Sequence, residues 1–154
     1  MKITAQEEYG LRCLLALARF PNGQVVTVRE IAAKEGLSSA YVEKLLRVLS
    51  RAGLVHSIRG LKGGYALNRH AAQITLGEII RVLGSMPNTS SICQVFTGNQ
   101  DACVHFSDCG IRSVWSGLTT YIQEFLDKTT LEHLLVGNEY AVSEQLSKRR
   151  GTNA

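Results

Sequence analysis

Nowhere in this 154-residue chain does an apolar run approach the roughly 18 residues that a membrane span requires. The opening, Met1-Lys2-Ile3-Thr4-Ala5-Gln6-Glu7-Glu8, has no apolar core behind a basic end, so no secretory leader is expected. Both absences predict a cytoplasmic protein without membrane partners, and in that compartment stable disulfides are rare. Acidic residues are missing from Lys44 to Arg69, a stretch that holds six basic side chains. Cysteine pairs two to four residues apart, the usual zinc spacing, do not occur. Catalytic groups are scarce too. Cys103 and His105 come nearest to a nucleophile and base, but no third orienting group accompanies them, so neither enzyme activity nor a small-molecule substrate is expected.

What is present begins with enough apolar side chain, 45% of residues, for one good core and a smaller second unit. Charge is divided unevenly. Residues 1–70 carry eleven Lys/Arg against five Glu, whereas the remainder carries six Lys/Arg against eight Asp/Glu. That polarity suits an N-terminal half facing phosphates.

Helix starts are legible as capping boxes at Thr4-x-x-Glu7, Thr27-x-x-Glu30, Thr75-x-x-Glu78 and Thr129-x-x-Glu132, where Thr and Glu satisfy each other's free backbone donors. A first helix is predicted from about Ala5 to Phe20, stopped by Pro21-Asn22-Gly23. A second runs from Val28 to Glu35 and ends at Gly36. A third, capped by Ser38 or Ser39, reaches about Ala52, with Gly53 closing it. This is helix-turn-helix spacing, with Ile31, Ala32, Leu37, Val42, Leu45, Leu46 and Leu49 as core face. Ser39, Tyr41, Glu43, Lys44, Arg47 and Arg51 are left to point outward, as a helix entering the major groove requires.

Two alternating runs follow, Leu54 to Arg59 and Gly64 to Arg69, with Gly60-Leu61-Lys62-Gly63 as the tip between them. A hairpin directly after a recognition helix is a wing, and Arg59 and Lys62 place charge where it can meet the minor groove. The expected DNA-binding set is therefore Ser38, Ser39, Tyr41, Glu43, Lys44, Arg47, Arg51, Arg59 and Lys62. Ser39, Tyr41 and Glu43 are its base readers; Lys44, Arg47, Arg59 and Lys62 are mainly its phosphate or groove contacts.

Three of the four cysteines, Cys93, Cys103 and Cys109, cluster in a Gly/Asn/Ser-rich segment. Clustered thiols in a cytosolic loop read as a metal or cluster site or as a redox switch. Cys13, among Leu14, Leu15 and Leu17, reads instead as a small buried hydrophobe.

The run Ser39-x-Tyr41, Gly53-Leu54-Val55, Ser57-x-Arg59-Gly60 and Gly63-Gly64-Tyr65-x-Leu67 resembles a known family. With Glu8-Tyr9-Gly10-Leu11-Arg12 and Cys109-x-x-x-x-x-Trp115, it is similar to the winged-helix regulators typified by IscR, the iron–sulfur assembly regulator, and NsrR, the nitric-oxide sensor. The match covers about residues 1–135. The resemblance implies a dimeric DNA-binding regulator, with repression the leading reading. Its operator affinity would be set by an iron–sulfur cluster, 2Fe–2S or 4Fe–4S, sensing iron–sulfur status, redox state or nitric oxide. Cluster-bearing relatives space their three cysteines with about five residues in each gap; here the second gap fits and the first is longer by about four, around Phe96-Thr97-Gly98-Asn99. IscR-like proteins place a His where this chain has Arg112, and other relatives take a carboxylate from the partner subunit at the position matching Glu8. Glu8 is thus the preferred fourth ligand beside Cys93, Cys103 and Cys109, with His105 the alternative. A cluster-free or thiol/disulfide-switched regulator on the same fold is the other reading.

After Cys109, apolar residues recur at Ile111, Val114, Trp115, Leu118, Tyr121, Ile122, Phe125 and Leu126, a helical stripe nearly five turns long. Pairing with its mate in a homodimer would bury it and set two recognition helices on a palindromic double-stranded operator. The expected fold is mainly helical with a small β-hairpin: a winged helix-turn-helix domain (1–85), a cysteine-bearing sensor loop (86–110), a dimerisation helix with a short C-terminal helix (111–139), and a disordered basic tail (140–154).

Overall fold

Hydroxyl side chains cap the first three helices, and in two of them a carboxylate completes the box. In the computed structural model, which describes residues 2–136, α1 (Ala5–Ala18) opens on a full capping box. Thr4 Oγ1 accepts the Glu7 N–H at 3.2 Å, and the Glu7 carboxylate accepts the Thr4 N–H at 2.7 Å. Thr27 and Glu30 repeat the arrangement for α2 (Val28–Glu35), which stops at Gly36. Ser38 caps α3 (Ser39–Arg51), and its Oγ accepts the Tyr41 N–H. The first helix ends at Ala18, two residues short of expectation.

The wing is β1 (Val55–Ile58) paired antiparallel with β2 (Gly64–Leu67), in register from Val55 opposite Leu67 to Ile58 opposite Gly64. Both strands are shorter than predicted; at the start of the first, the Leu54 N–H is taken by Leu49 at the end of α3. Tyr65 exchanges two 2.9 Å backbone bonds with Val26, which ties the hairpin to the segment before α2. A Cβ on Gly64 would lie 2.3 Å from the Val26 carbonyl oxygen, so only glycine fits there. At the tip Gly60 has φ +116°, a conformation closed to other residues.

Beyond the wing come a short 3-10 turn (Ala71–Gln73), α4 (Leu76–Leu83), α5 (Thr89–Val95), α6 (Arg112–Lys128) and α7 (Leu131–Leu135). The third capping box is half formed: Thr75 Oγ1 accepts the Glu78 N–H, but the Glu78 carboxylate turns away to pair with Arg69. The fourth is displaced by one residue. Thr129 is fully buried, with its carbonyl on the Leu76 N–H and its hydroxyl on Phe125, so Thr130 becomes the cap and His133, not Glu132, closes the box. Residues 86–110 are not a continuous loop, because Asn88 caps α5 and Cys93 lies on that helix.

Cys13 and Leu14 of α1 are completely buried and meet Ile31 of α2, Leu45, Leu46 and Leu49 of α3, Ile79 of α4 and Leu131 of α7 in one core. α7 thus closes the core that α1 to α4 build. The C-terminal half of α6 docks on α4, through Leu126 and through Arg81, which donates to both Asp127 carboxylate oxygens at 2.7 Å. The N-terminal half stands away, leaving Ile111 and Val114 each 64% exposed and Trp115, Leu118 and Tyr121 over 40%. So the apolar stripe is partly covered by its own domain at Ile122, Phe125 and Leu126 and open at its start. No helix among the described residues is long and apolar enough to cross a membrane. The predicted basic tail, 140–154, lies outside the described residues.

Glu7 couples this packing to pH. Burial works to raise its pKa, but the Thr4 backbone and hydroxyl donors and the Ser85 N–H outweigh that and hold it below the usual 4.5. A carboxylate depressed in the folded state stabilises the fold above pH 4.5 and loses that contribution as pH falls further. Urea unfolding of Glu7→Gln should therefore show lower stability than wild type at pH 7 and a narrower difference by pH 3; an undiminished difference would refute the assignment.

Candidate functional site

The outward face of α3 is built by what its inward face buries. Val42, Leu45, Leu46 and Leu49 are each buried at 1% exposure or less, which turns Ser39, Lys44, Arg47 and Arg51 to solvent. Glu43 is half-buried and holds Arg47 in a 2.6 Å ion pair across one helical turn. Ser38 spends its hydroxyl on the cap. Tyr41 departs from expectation: it is half-buried and meets Tyr9 of α1 edge-on, ring centres 6.0 Å apart. Its ring packs against the core as well as bordering the outward face.

Between α3, the wing and the start of α2 lies an open groove of about 810 Å³, walled by Arg47 and Arg51 on one side and Arg59 and Gly60 on the other. Arg29 completes it from α2, a residue the sequence reading passed over. Nothing local marks Arg29; its place shows only when the wing folds back toward α2 through the Val26–Tyr65 bridge. Lys62 projects at the wing tip beside Leu61, whose side chain is wholly exposed. Four guanidinium groups around one groove, with Glu43 as its carboxylate, form a surface for a polyanion.

The second site is a cavity of about 510 Å³ where α5, the 96–111 segment and the start of α6 meet. Cys93 of α5 and Cys103 both line it, with Asp101, Phe106, Arg112 and Ser116. The longer gap between the first two cysteines takes part: Thr97 forms wall, and Gly98 turns the chain at φ +72°. Cys109 is half-buried but outside the lining, and among the described residues no three metal-ligating side chains converge. Asp101, two residues before Cys103, was missed by the sequence reading and is the carboxylate that does share the cavity.

Arg112 opens α6. Its guanidinium lies 5.0 Å over the Phe106 ring and donates to the Phe106 carbonyl, while its Nε is buried without an acceptor. The two thiols on the wall, Cys93 and Cys103, are soft donors of the kind that thiolate-held groups use, and Cys109 stands apart from them near the start of α6. The volume falls within the roughly 300–1,000 Å³ of ligand-holding pockets. Glu8 is exposed and lines a different groove, beside Leu11, Leu76, Ile80 and Leu126. His105 is exposed and does not line the cavity. Cys13 is a packing residue as expected, its thiol pushed up to about 11 chiefly by burial, with Glu35 adding to the rise.

Comparison with known proteins gives a consistent answer. The Rrf2 profile, described as an iron-dependent transcriptional regulator, matches residues 3–137. The HTH-type transcriptional regulator IscR of Vibrio parahaemolyticus is 32% identical over 139 residues, covering 90% of this chain and 80% of that protein. Two solved structures are similar in both fold and sequence. CymR, the global cysteine regulator of B. subtilis, superposes with a TM-score of 0.72 at 33% identity, covering 90% of this chain and 99% of that one. T. potens IscR superposes with a TM-score of 0.70 at 34% identity, covering 92% and 90%.

Arg29 offers a direct check of the groove. Arg29→Ala should weaken binding to all duplexes about equally and make the log affinity–log salt slope shallower by about one. Fluorescence anisotropy titrations at several salt concentrations measure both. An unchanged slope would remove Arg29 from the surface that meets phosphate.

Proposed function

The chain belongs to the Rrf2 family of transcriptional regulators, and we propose that it is a homodimeric repressor whose operator affinity is set by an iron–sulfur cluster. Cys93, Cys103 and Cys109 hold the cluster in this reading, and Glu8 of the second copy supplies the fourth ligand. The observation that carries this reading is the cavity at the head of α6, which Cys93 and Cys103 line together. When bound, the cluster supplies redox and nitric-oxide reactivity and a dependence on iron supply.

The chain's own part is to convert order in residues 93–112 into the position of α6. That helix begins one turn after Cys109 and is clamped at its far end by the Arg81–Asp127 pair. A change at its head is therefore passed along a rigid rod to the helix-turn-helix domain. Ser39, Glu43, Lys44, Arg47, Arg51, Arg59 and Lys62 then meet a palindromic operator from each subunit, with Arg29 added to the set.

The experiment is an iron and acid-labile sulfide count, with a visible spectrum, on protein purified without oxygen. Stoichiometric iron and sulfide, lost on alanine substitution of Cys93, Cys103 or Cys109, is the expected result. Glu8→Ala should lower iron retention; retention there with loss in Asp101→Ala would move the oxygen ligand into the same subunit. A second reading, a thiol–disulfide switch, is favoured by the similarity to a cysteine regulator and by two thiols sharing one cavity. Iron-free protein whose DNA affinity still falls or rises with oxidation would establish it in place of the first.

The dimer has its own test. Trp115→Glu with Leu118→Glu, both on the open half of α6, should give a monomer in sedimentation and weaken operator binding about a hundredfold through loss of the second half-site. A double variant that stays dimeric would place the interface elsewhere.

A further inference from the structure

Leu61 stands wholly in solvent, the most exposed large apolar side chain among the described residues. Scattered leucines on a surface are ordinary, and exposure alone assigns them nothing. This one differs in its support and its neighbours. The wing turns at Gly60–Gly63, where the Gly63 N–H donates to the Gly60 carbonyl at 2.9 Å, so Leu61 and Lys62 take the two corner positions. Gly60 holds φ +116°, and a Cβ on Gly63 would lie 2.5 Å from the Ile58 carbonyl oxygen. The hairpin behind this turn is tied to Val26 through Tyr65. Arg59, two residues before the leucine, and Lys62, directly after it, are both exposed. Leu61 and Ile58 border the groove that Arg47, Arg51 and Arg59 make basic, so an apolar tip is carried on a cationic surface.

We propose that Leu61 is an apolar reader of the operator's minor groove, set against its floor where the wing meets the duplex, and that it selects A·T over G·C there. The proposal rests on the operator-binding reading given above. The cationic groove draws the tip to the duplex, and Arg59 and Lys62 neutralise phosphates on either side of the leucine. An aliphatic side chain makes no hydrogen bond to a base, so it reads by what it displaces. On the minor-groove floor the two pairs differ by the guanine 2-amino group. Covering that group strips water from a donor and gives it no partner, and its bulk holds the leucine methyls off the floor. Over A·T the same side chain lies deeper between the sugars. Leu61 thus adds a specificity element outside the major-groove set supplied by α3.

The test begins with full-length wild-type protein, purified without oxygen and also after exposure to air, selecting duplexes from a random pool. Leu61→Ala is selected in parallel. The wild type should enrich A·T at positions flanking each half-site, and Leu61→Ala should lose that preference while keeping the rest of the site. Fluorescence anisotropy then compares the selected duplex with versions carrying G·C or inosine·C at the flanking positions. Inosine lacks the 2-amino group but keeps the major-groove face of guanine. Wild type should bind the G·C duplex about tenfold more weakly than the A·T duplex, and the inosine duplex like A·T. Leu61→Ala should bind all three alike, and Leu61→Met, still apolar and of similar volume, should keep the wild-type order. Undiminished discrimination in Leu61→Ala overturns the proposal, as does wild type treating inosine·C like G·C, which would move the readout to the major groove. A wild type with no flanking preference overturns it too, and hands the exposed leucine to a protein partner. Should neither form of the wild type enrich any sequence, the operator reading itself fails, and with it this role.

Discussion

The molecule hangs on the burial of one face of α1. Cys13, Leu14 and Leu17 have almost no exposed surface, and α2, α3, α4 and α7 all seat themselves on that face. Polar contacts then fix the orientation of what the apolar face has gathered. Arg12 of α1 donates from Nε to the Glu35 carboxylate at 2.9 Å and from a terminal nitrogen to the Glu35 carbonyl at 2.7 Å, holding the end of α2. The same guanidinium lies 5.4 Å over Tyr9, and Tyr9 meets Tyr41 of α3. One continuous relay from Glu35 through Arg12 and Tyr9 to Tyr41 links the two helices of the DNA-binding motif across α1, beside their direct packing in the core. Tyr41, expected among the base readers, therefore also has a packing role in this relay.

The two functional surfaces differ in how they are held. The basic groove is framed by capped helices and by a hairpin tied to Val26, so its four guanidiniums project from rigid supports. The cysteine cavity has only a seven-residue helix, a turn-rich segment and the first turn of α6 around it. A reader of DNA must present a fixed shape, and the capped helices and tied hairpin supply one.

Much of this was legible because the signals are local. Thr4 with Glu7, Thr27 with Glu30, and the stops at Gly36 and Gly53 act within one turn of chain, and the helices form where those residues say. Misreadings came from distant partners. The capping box at Thr129 slips by one because that residue pairs with Leu76, more than fifty positions earlier, and Glu78 abandons its own box for Arg69. Asn88 and α5 were hidden in a segment whose cysteines and serines suggest loop. At the site, residue type pointed to Cys93, Cys103 and Cys109, but only folding shows that two of them share a wall with Asp101 and Arg112.

Leu131, which plugs the core with no surface exposed, is among the last core residues to be synthesised. A nascent chain of 110 residues would already contain the helix-turn-helix, the wing and all four cysteines, yet would lack the side chain that seals α1 against them. Domains generally settle from the N-terminus as translation proceeds at about 5–20 residues per second. Here the order is inverted at the final step, because α7 must return to the first helix and the Thr75–Thr130 bridge must close. The ribosome therefore releases the cysteine segment before the DNA-reading domain can be completed.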